Sequence, residues 1–419
     1  MPVPSIGAVE VLVRLSVSGV CGTDFGLANG HFGPTKSILG HEGVGRIVRL
    51  GASVPQASFH PGQRVGLAWI RDVCGACGPC LGDGDEARCR AQIQSGWKVD
   101  GTFAQYAVAP ARYIIPLPEG VPDELAAPIL CGGVTAYKAL KICGAVPGRW
   151  VAVSGAGGGV GCLAVMYAKA MGYRVVALDA GSAKEAICLD AGAESYVDVA
   201  SAEDIAATVH GLTGGGASAV IVTAGAAAAY QSAVGLLAPL GTLVCVGIPP
   251  ASGSLSIHPL ELIDKGIRLV GSAVGTRAEI GEALAFVSRG AVVPKIKRAC
   301  LDDLNKITSE FASGTVRNFL HISSYPGSTT LERLSILCAL ETLKRCKIGP
   351  SQVCYPAISR PGRGSHIYRA LCWRDVFHCL VTELHGEESQ ARICRHTLPL
   401  LEESRSLNYT VISNLQTRR

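Results

Sequence analysis

What this chain has little of narrows its class. No apolar block long enough to cross a bilayer, about 18 residues or more, survives in it. The longest uncharged stretch, from Asp204 to Glu261, is broken by Gly214, Gly215, Gly216, Gln231, Pro239 and Gly241. No basic segment followed by an apolar one opens the chain, which starts MPVPSIGAVEV, so no secretory signal is expected. Aromatic residues are few (5%), and the body has no excess charge of either sign. Residues 1–317 hold 25 Lys/Arg and 25 Asp/Glu, whereas residues 318–419 hold 13 and 8, so the net +5 lies in the last hundred or so residues. A balanced body gives no reason to expect nucleic-acid or membrane binding. Cysteine and glycine, by contrast, are plentiful, at 17 and 51 residues. Without a secretory signal, so many cysteines argue for reduced thiols in a cytoplasmic compartment, and clustered thiols there usually hold metal.

The texture changes along the chain. Residues 1–125 read as short strands punctuated by Gly and Pro: AVEVLVRLSVSGV, GVGRIVRLG, GQRVGLAW and TFAQYAVAP. From about residue 133, strands alternate with helical segments: WVAVS, the helix CLAVMYAKAMG, YRVVALD, the helix AKEAICLDAGA, SYVDVA, AVIVTAG, the helix AAAAYQSAVGLLA and GTLVCVG. That alternation predicts a doubly wound parallel sheet. RAEIGEALAFVSRG and LDDLNKITSEFASG read as helices closing at glycine. Beyond Arg317 the periodicity weakens.

The segment SGAGGGVG, Ser154–Gly161, lies between a strand and a helix, the context of a dinucleotide fingerprint. Gly155 permits the tight turn, Gly158 and Gly159 let backbone N–H groups approach a pyrophosphate, and Gly161 lets helix and sheet pack closely. The phosphates belong at the helix N-terminus. Asp179 ends the next strand. A carboxylate there accepts from the ribose hydroxyls and repels a 2′-phosphate, which favours NAD over NADP. Lys184 lies along the same edge. A glycine-rich helix start with no ligand is the alternative.

The cysteines fall into two patterns. Cys74, Cys77, Cys80 and Cys89 are packed into sixteen residues. Cys21 (SGVCGTD), His41 (LGHEG) and Cys131 (PILCGG) stand in separate turns. Two thiolates and an imidazole can make a three-ligand zinc site with an open fourth position. Taken singly, however, a cysteine is usually a small buried hydrophobe and a histidine a satisfied one.

The ordered set SGVCGTD, GHEGVGRIV, the four-cysteine segment, PILCGGVTAYKALK, SGAGGGVG and AKAMGYRVVALD resembles the zinc-dependent alcohol dehydrogenases of the medium-chain dehydrogenase/reductase superfamily, in particular the yeast and fungal type. The resemblance covers residues 2 to about 316. It implies a GroES-like β-rich catalytic domain (1–132), a Rossmann NAD-binding domain (133–275) and a return to the catalytic domain (276–317). It implies that Cys21, His41 and Cys131 bind a catalytic zinc, with Glu42 able to exchange onto it, and that Thr23 bonds the substrate oxygen. Thr223, Val246, Ile248 and Val274 match positions lining the cofactor. Cys74, Cys77, Cys80 and Cys89 match the ligands of a structural zinc lobe, with a last gap of eight residues where seven is usual. The implied substrate is a small alcohol or aldehyde, and the implied assembly a homodimer or homotetramer through IRLVGSAVG. Phe25, Phe32 and Trp69 are candidates for the substrate pocket or for plain core.

The chain also departs from that pattern. Gly26 stands where many members carry a proton-relaying histidine, and His31 is not expected to replace it. Gly22 stands where His or Arg often meets the pyrophosphate. Slower oxidation with a stronger dependence on buffer base is expected. The start looks short. Residues 318–419 are unmatched and expected to be irregular or disordered. They read as a partner-binding segment, as a gene-model artefact or, least well by spacing, as a metal site using Cys338, Cys346, Cys354, Cys372, Cys379 and Cys394. The rival reading of the whole chain is a non-catalytic, zinc-stabilised nucleotide-binding protein that works through this tail.

Overall fold

The computed structural model describes residues 2–82, 84–312 and 320–324. Arg317 and the readings of the segment beyond Ser324 lie outside the described residues.

The first part of the chain supplies β1 (Glu10–Val20), β2 (Gly43–Leu50), β3 (Arg64–Leu67), β4 (Ile70–Asp72), β5 (Ile93–Gln94), β6 (Tyr106–Pro110) and β7 (Ile115–Pro116). Its helices are α1 (Gly22–Ala28), the single turns α2 (Gly78–Leu81) and α3 (Asp123–Ala126), and α4 (Gly132–Ile142). β1 is central, flanked by β2 on one edge and β6 on the other, and is buried along most of its length. β2 has one wet face: Ile47 is buried while Arg46 and Val48 are exposed. β4 and β5 form a separate ribbon from which the four-cysteine lobe projects.

The second sheet is built from β8 (Trp150–Ser154), β9 (Arg174–Asp179), β10 (Ser195–Asp198), β11 (Ala217–Val222), β12 (Leu237–Cys245) and β13 (Arg268–Gly271). All its pairings are parallel, in the order β10-β9-β8-β11-β12-β13. Numbered from β8, this is the 3-2-1-4-5-6 order of a dinucleotide-binding sheet. The inner strands are almost wholly apolar because helices cover both faces. α4, α5 (Gly159–Ala170) and α10 (Arg277–Ser288) pack into one core cluster. On the other face, α7 (Ile205–Thr213), α8 (Ala227–Ala233) and α9 (Pro259–Lys265) contribute to a second cluster. α6 (Glu185–Asp190) links β9 to β10. AAAAYQSAVGLLA is only partly helical: a 3-10 turn at Val234–Leu236 ends it, and Leu237 already belongs to β12.

β14 (Ile296–Cys300) returns to the first sheet, followed by α11 (Leu304–Ala312). Leu320–Ser324 forms β15, parallel to β14 and antiparallel to β1, with Val17 opposite Ser324. This corrects the expectation of an irregular segment from residue 318 onward. Five residues carry too short a pattern to read alone, and the strand exists because β1 offers Val17–Val20 an edge beyond the end of β6.

Among the described residues no single helix is long and apolar enough to cross a membrane. The bent pair Asp123–Leu130 and Gly132–Ile142 passes by length and composition together, but α4 is buried along nine of its eleven residues.

Candidate metal centres and cofactor crevice

The fold gathers Cys21, His41, Glu42 and Cys131, with one ligand atom from each lying within 4.8 Å of the others. Cys21 caps the start of α1 and Cys131 the start of α4, so both thiols sit at chain turns facing the same point. Asp24, one turn into α1, organises the group. Its carboxylate accepts from the Cys21 backbone N–H (3.0 Å), the Gly40 N–H (3.1 Å) and His41 Nδ1 (2.8 Å). With Nδ1 donating, Nε2 is left as the acceptor, which is the tautomer a metal requires.

His41 Nε2 is buried and has no partner, and the same is true of Glu42 Oε2. An orphaned buried acceptor costs roughly 1–3 kcal/mol, so two beside a pair of thiols call for a cation. Titration behaviour agrees. The hydrogen bond with Cys131 holds the Cys21 thiol well below its ordinary range, against the cost of burial. Cys131 is pushed up by the same bond and by burial. Burial raises the Glu42 carboxyl, and the Cys21 thiolate raises it further. At His41 burial works against the charge, but the Asp24 carboxylate outweighs it and holds the imidazole well above its usual value. Thr23 Oγ1 is half-buried, 3.8 Å from Cys21 Sγ.

An aromatic wall begins beside this centre. Trp69 meets His41 edge-on (5.2 Å), Trp97 stacks on Trp69 (6.4 Å) and Phe32 tilts against Trp97 (6.0 Å). Phe25 belongs to a small core with Val20 and Ile307, not to the wall. A Cβ on Gly26 would lie 2.8 Å from the Phe32 ring and 3.8 Å from His31 Nδ1, so that slot is narrow. Sequence reasoning missed Asp24 and Trp97. Asp24 was detectable as an acid at the third helical position after Cys21, whereas nothing in the sequence marks Trp97.

The lobe cysteines also converge. Their sulfurs stand 3.4 Å apart for Cys77–Cys80, 3.6 Å for Cys74–Cys89 and 3.9 Å for Cys74–Cys80. Zinc–sulfur bonds of about 2.3 Å in a tetrahedron place sulfurs about 3.8 Å apart, whereas a disulfide needs about 2.05 Å. The spacing therefore fits a metal tetrahedron. The Ala76 N–H and the Cys77 side chain draw the Cys74 thiol down to about 6, while desolvation and Cys77 push Cys80 up to about 12.

At the glycine loop, Gly155 has φ +82, and a Cβ on Gly161 would lie 2.0 Å from the Gly155 carbonyl oxygen. Neither position accepts a side chain without moving the backbone. Gly158 is the cap of α5 and Gly159 its first residue, so the first N–H groups of that helix have no side-chain acceptor. Asp179 accepts from the Gly157 N–H (2.8 Å) and pairs with Lys184 Nζ (2.6 Å) at the loop's edge. Thr223 follows β11, Val246 and Ile248 follow β12, and Val274 follows β13. All four thus lie past the carboxyl ends of parallel strands, where such sheets bind ligands. The Thr223 hydroxyl is already engaged, donating to Ser154 O (2.8 Å) and Gly155 O (3.1 Å). Val274 has φ +33, rare for a β-branched residue. A cavity of about 1100 Å³ is lined by Arg71, Phe103, Tyr106 and Leu301 among others and includes none of these residues.

Comparison with known proteins agrees with this arrangement. Residues 7–119 match the family described as alcohol dehydrogenase GroES-like domain, and residues 159–289 the family described as zinc-binding dehydrogenase. Alcohol dehydrogenase 2 of Emericella nidulans is 41% identical over 334 residues, covering 76% of this chain and 90% of that protein. An alcohol dehydrogenase of Geobacillus stearothermophilus is 40% identical over 317 residues, covering 75% and 91%. Among solved structures, the alcohol dehydrogenase of the archaeon Aeropyrum pernix superposes with a TM-score of 0.69 at 28% identity, covering 78% of this chain and 95% of that one. An acetophenone reductase of Geotrichum candidum in complex with NAD gives 0.68 at 27% identity, covering 77% and 92%.

Proposed function

The chain belongs to the zinc-dependent alcohol dehydrogenases, and from that premise we propose that it carries two zinc sites and oxidises a small primary or secondary alcohol with NAD. Alcohol oxidation with zinc and a nicotinamide cofactor is the class of reaction that this family membership supports. A non-catalytic binding protein does not fit that membership. The observation that carries the reading is His41: its Nδ1 is fixed by Asp24 and its Nε2 is buried without a partner among Cys21, Cys131 and Glu42.

When bound, zinc supplies a Lewis acid that makes an alcohol proton easier to remove, and NAD supplies the hydride acceptor. Cys21, His41 and Cys131 would hold the metal, with Glu42 poised at the fourth position. Asp24 keeps His41 in the metal-binding tautomer. Thr23 Oγ1 takes the alcohol proton as its own hydroxyl proton passes on, with glycine at 26, directly to solvent and buffer base. Trp69, Trp97 and Phe32 wall the substrate side and exclude water. Asp179 accepts from the adenosine ribose hydroxyls and disfavours a 2′-phosphate. Cys74, Cys77, Cys80 and Cys89 would hold the structural zinc.

We further propose a cytoplasmic homodimer or homotetramer. All eleven described cysteines are free, which suits a reducing compartment. β13 is the edge strand of the second sheet, and Leu260, Ile263 and Leu269 stand exposed on and beside it. Light scattering of the purified chain tests the assembly.

The test of function is a panel of primary and secondary alcohols with NAD or NADP, together with elemental analysis of the purified chain. About two zincs per chain and NAD-linked turnover are expected. Preference for NADP overturns the Asp179 assignment. Turnover with no alcohol, or less than about one zinc per chain, overturns the reading itself.

A further inference from the structure

The four-cysteine lobe grips the cofactor half of the molecule through three charged residues between Cys80 and Cys89. Asp85 receives Lys138 Nζ of α4 at 2.6 Å, and that lysine side chain is only 5% exposed. Glu86 Oε1 accepts from the Arg277 backbone N–H (3.0 Å) and from Arg277 Nε (3.2 Å). Arg88 Nη2 donates to the Gly271 carbonyl (2.7 Å). Gly271 ends β13 and Arg277 begins α10, so the lobe clamps both ends of the connection between them.

The middle of that connection is held as well. Val274 packs into the small core formed by Ile70, Val73, Ala87, Cys89 and Tyr113, alongside Trp69, Cys77 and Cys80. One cluster thus joins three lobe cysteines, the tryptophan that faces His41 and a residue of the cofactor crevice. The connection is under constraint: Val274 has φ +33. It also carries a loose end, because Ser272 Oγ is buried with no partner among the described groups. A buried hydroxyl without a partner, past the carboxyl end of β13, is consistent with a ligand that approaches there.

We propose that Asp85, Glu86 and Arg88 are positioning residues for the dinucleotide. Closed around its metal, the lobe fixes residues 271–277 in the shape that receives the nicotinamide half of the cofactor, so occupancy of the four-cysteine site sets cofactor affinity. The proposal rests on the zinc- and NAD-dependent reading above. It deepens that reading by giving the lobe a role in binding as well as in stability. Linkage makes the coupling reciprocal: if lobe closure favours cofactor binding, bound cofactor protects the lobe metal by the same factor.

The test uses the zinc-loaded chain and NADH fluorescence. Glu86→Gln should weaken NADH binding about tenfold with zinc content unchanged, and the KM for NAD should rise more than kcat falls. A lowered melting temperature with unchanged NADH affinity is the signature of a merely structural role and overturns the proposal. The second measurement needs no variant: saturating NADH should raise, by a similar factor, the chelator concentration that strips zinc from the four-cysteine site. Absence of such protection overturns the proposal even if Glu86→Gln fails to fold. Failure of the wild-type chain to bind NADH overturns the functional reading itself, whereas normal wild-type binding with an indifferent variant overturns only the positioning role.

Discussion

The two cysteine centres solve different problems with related ligands. In the lobe, four thiols from one sixteen-residue stretch stand at the edge lengths of a sulfur tetrahedron, and no donor is left over. At the other centre, ligands from three distant parts of the chain meet in a buried place, supported by Asp24, with two of their own atoms, His41 Nε2 and Glu42 Oε2, left unmatched. A closed set of identical donors satisfies a metal completely and leaves it no open position for chemistry. A mixed set with an acid held in reserve leaves the metal a position at which to work.

The comparison can be broken at several points. The largest effect is expected at the mixed centre: His41→Ala should lose zinc from that centre and reduce turnover to background, while elemental analysis still finds the lobe zinc. Loss of both zincs would show that the centres are not independent. Cys89→Ser should do the reverse, with one zinc lost and the melting temperature down by roughly 10 °C, read by calorimetry. Full stability without the lobe zinc would remove its structural role. Asp24→Asn keeps the shape but removes the charge that holds the His41 tautomer. A loss of about 10- to 100-fold in metal affinity or activity is expected, measured by zinc competition and steady-state kinetics.

The smallest effect concerns acid. Burial tends to raise the Glu86 carboxyl, but the bonds from Arg277 outweigh it and hold it below its ordinary value of 4.5. A depressed carboxyl adds stability that is present above its unfolded pKa and is lost as pH falls through the folded one. The wild-type melting temperature should therefore drop in that acidic window more steeply than that of Glu86→Gln. Parallel pH profiles would show that the Glu86–Arg277 pair contributes nothing.

The lobe was legible in the sequence because its ligands are neighbours, and the glycine loop because a strand, a turn and Asp179 follow in fixed order. The mixed centre was legible only through the order of several motifs, since no spacing connects residue 21 with residue 131. Asp24 escaped because its role depends on Gly40 and His41 folding back onto α1. Trp97 escaped because its neighbours Phe32 and Trp69 come from distant loops. Thr223 stands just past the end of β11, but its hydroxyl serves the glycine loop, which only the packing of β8 against β11 reveals. The strand at Leu320–Ser324 has meaning only when the free edge of β1 is known.

That last pairing bears on the order in which the molecule can form. The cofactor sheet is contiguous, from Trp150 to Gly271, and all its pairings except β8 with β11 join consecutive strands. The first sheet instead waits for Ser324 to reach Val17, a closure spanning nearly the whole described chain. Contacts so far apart form slowly. During synthesis, domains complete as their residues emerge. The cofactor half can therefore stand folded on the ribosome while β1 still exposes the edge that β15 will cover. In that interval β1 presents an unpaired edge, a template on which another chain can pair.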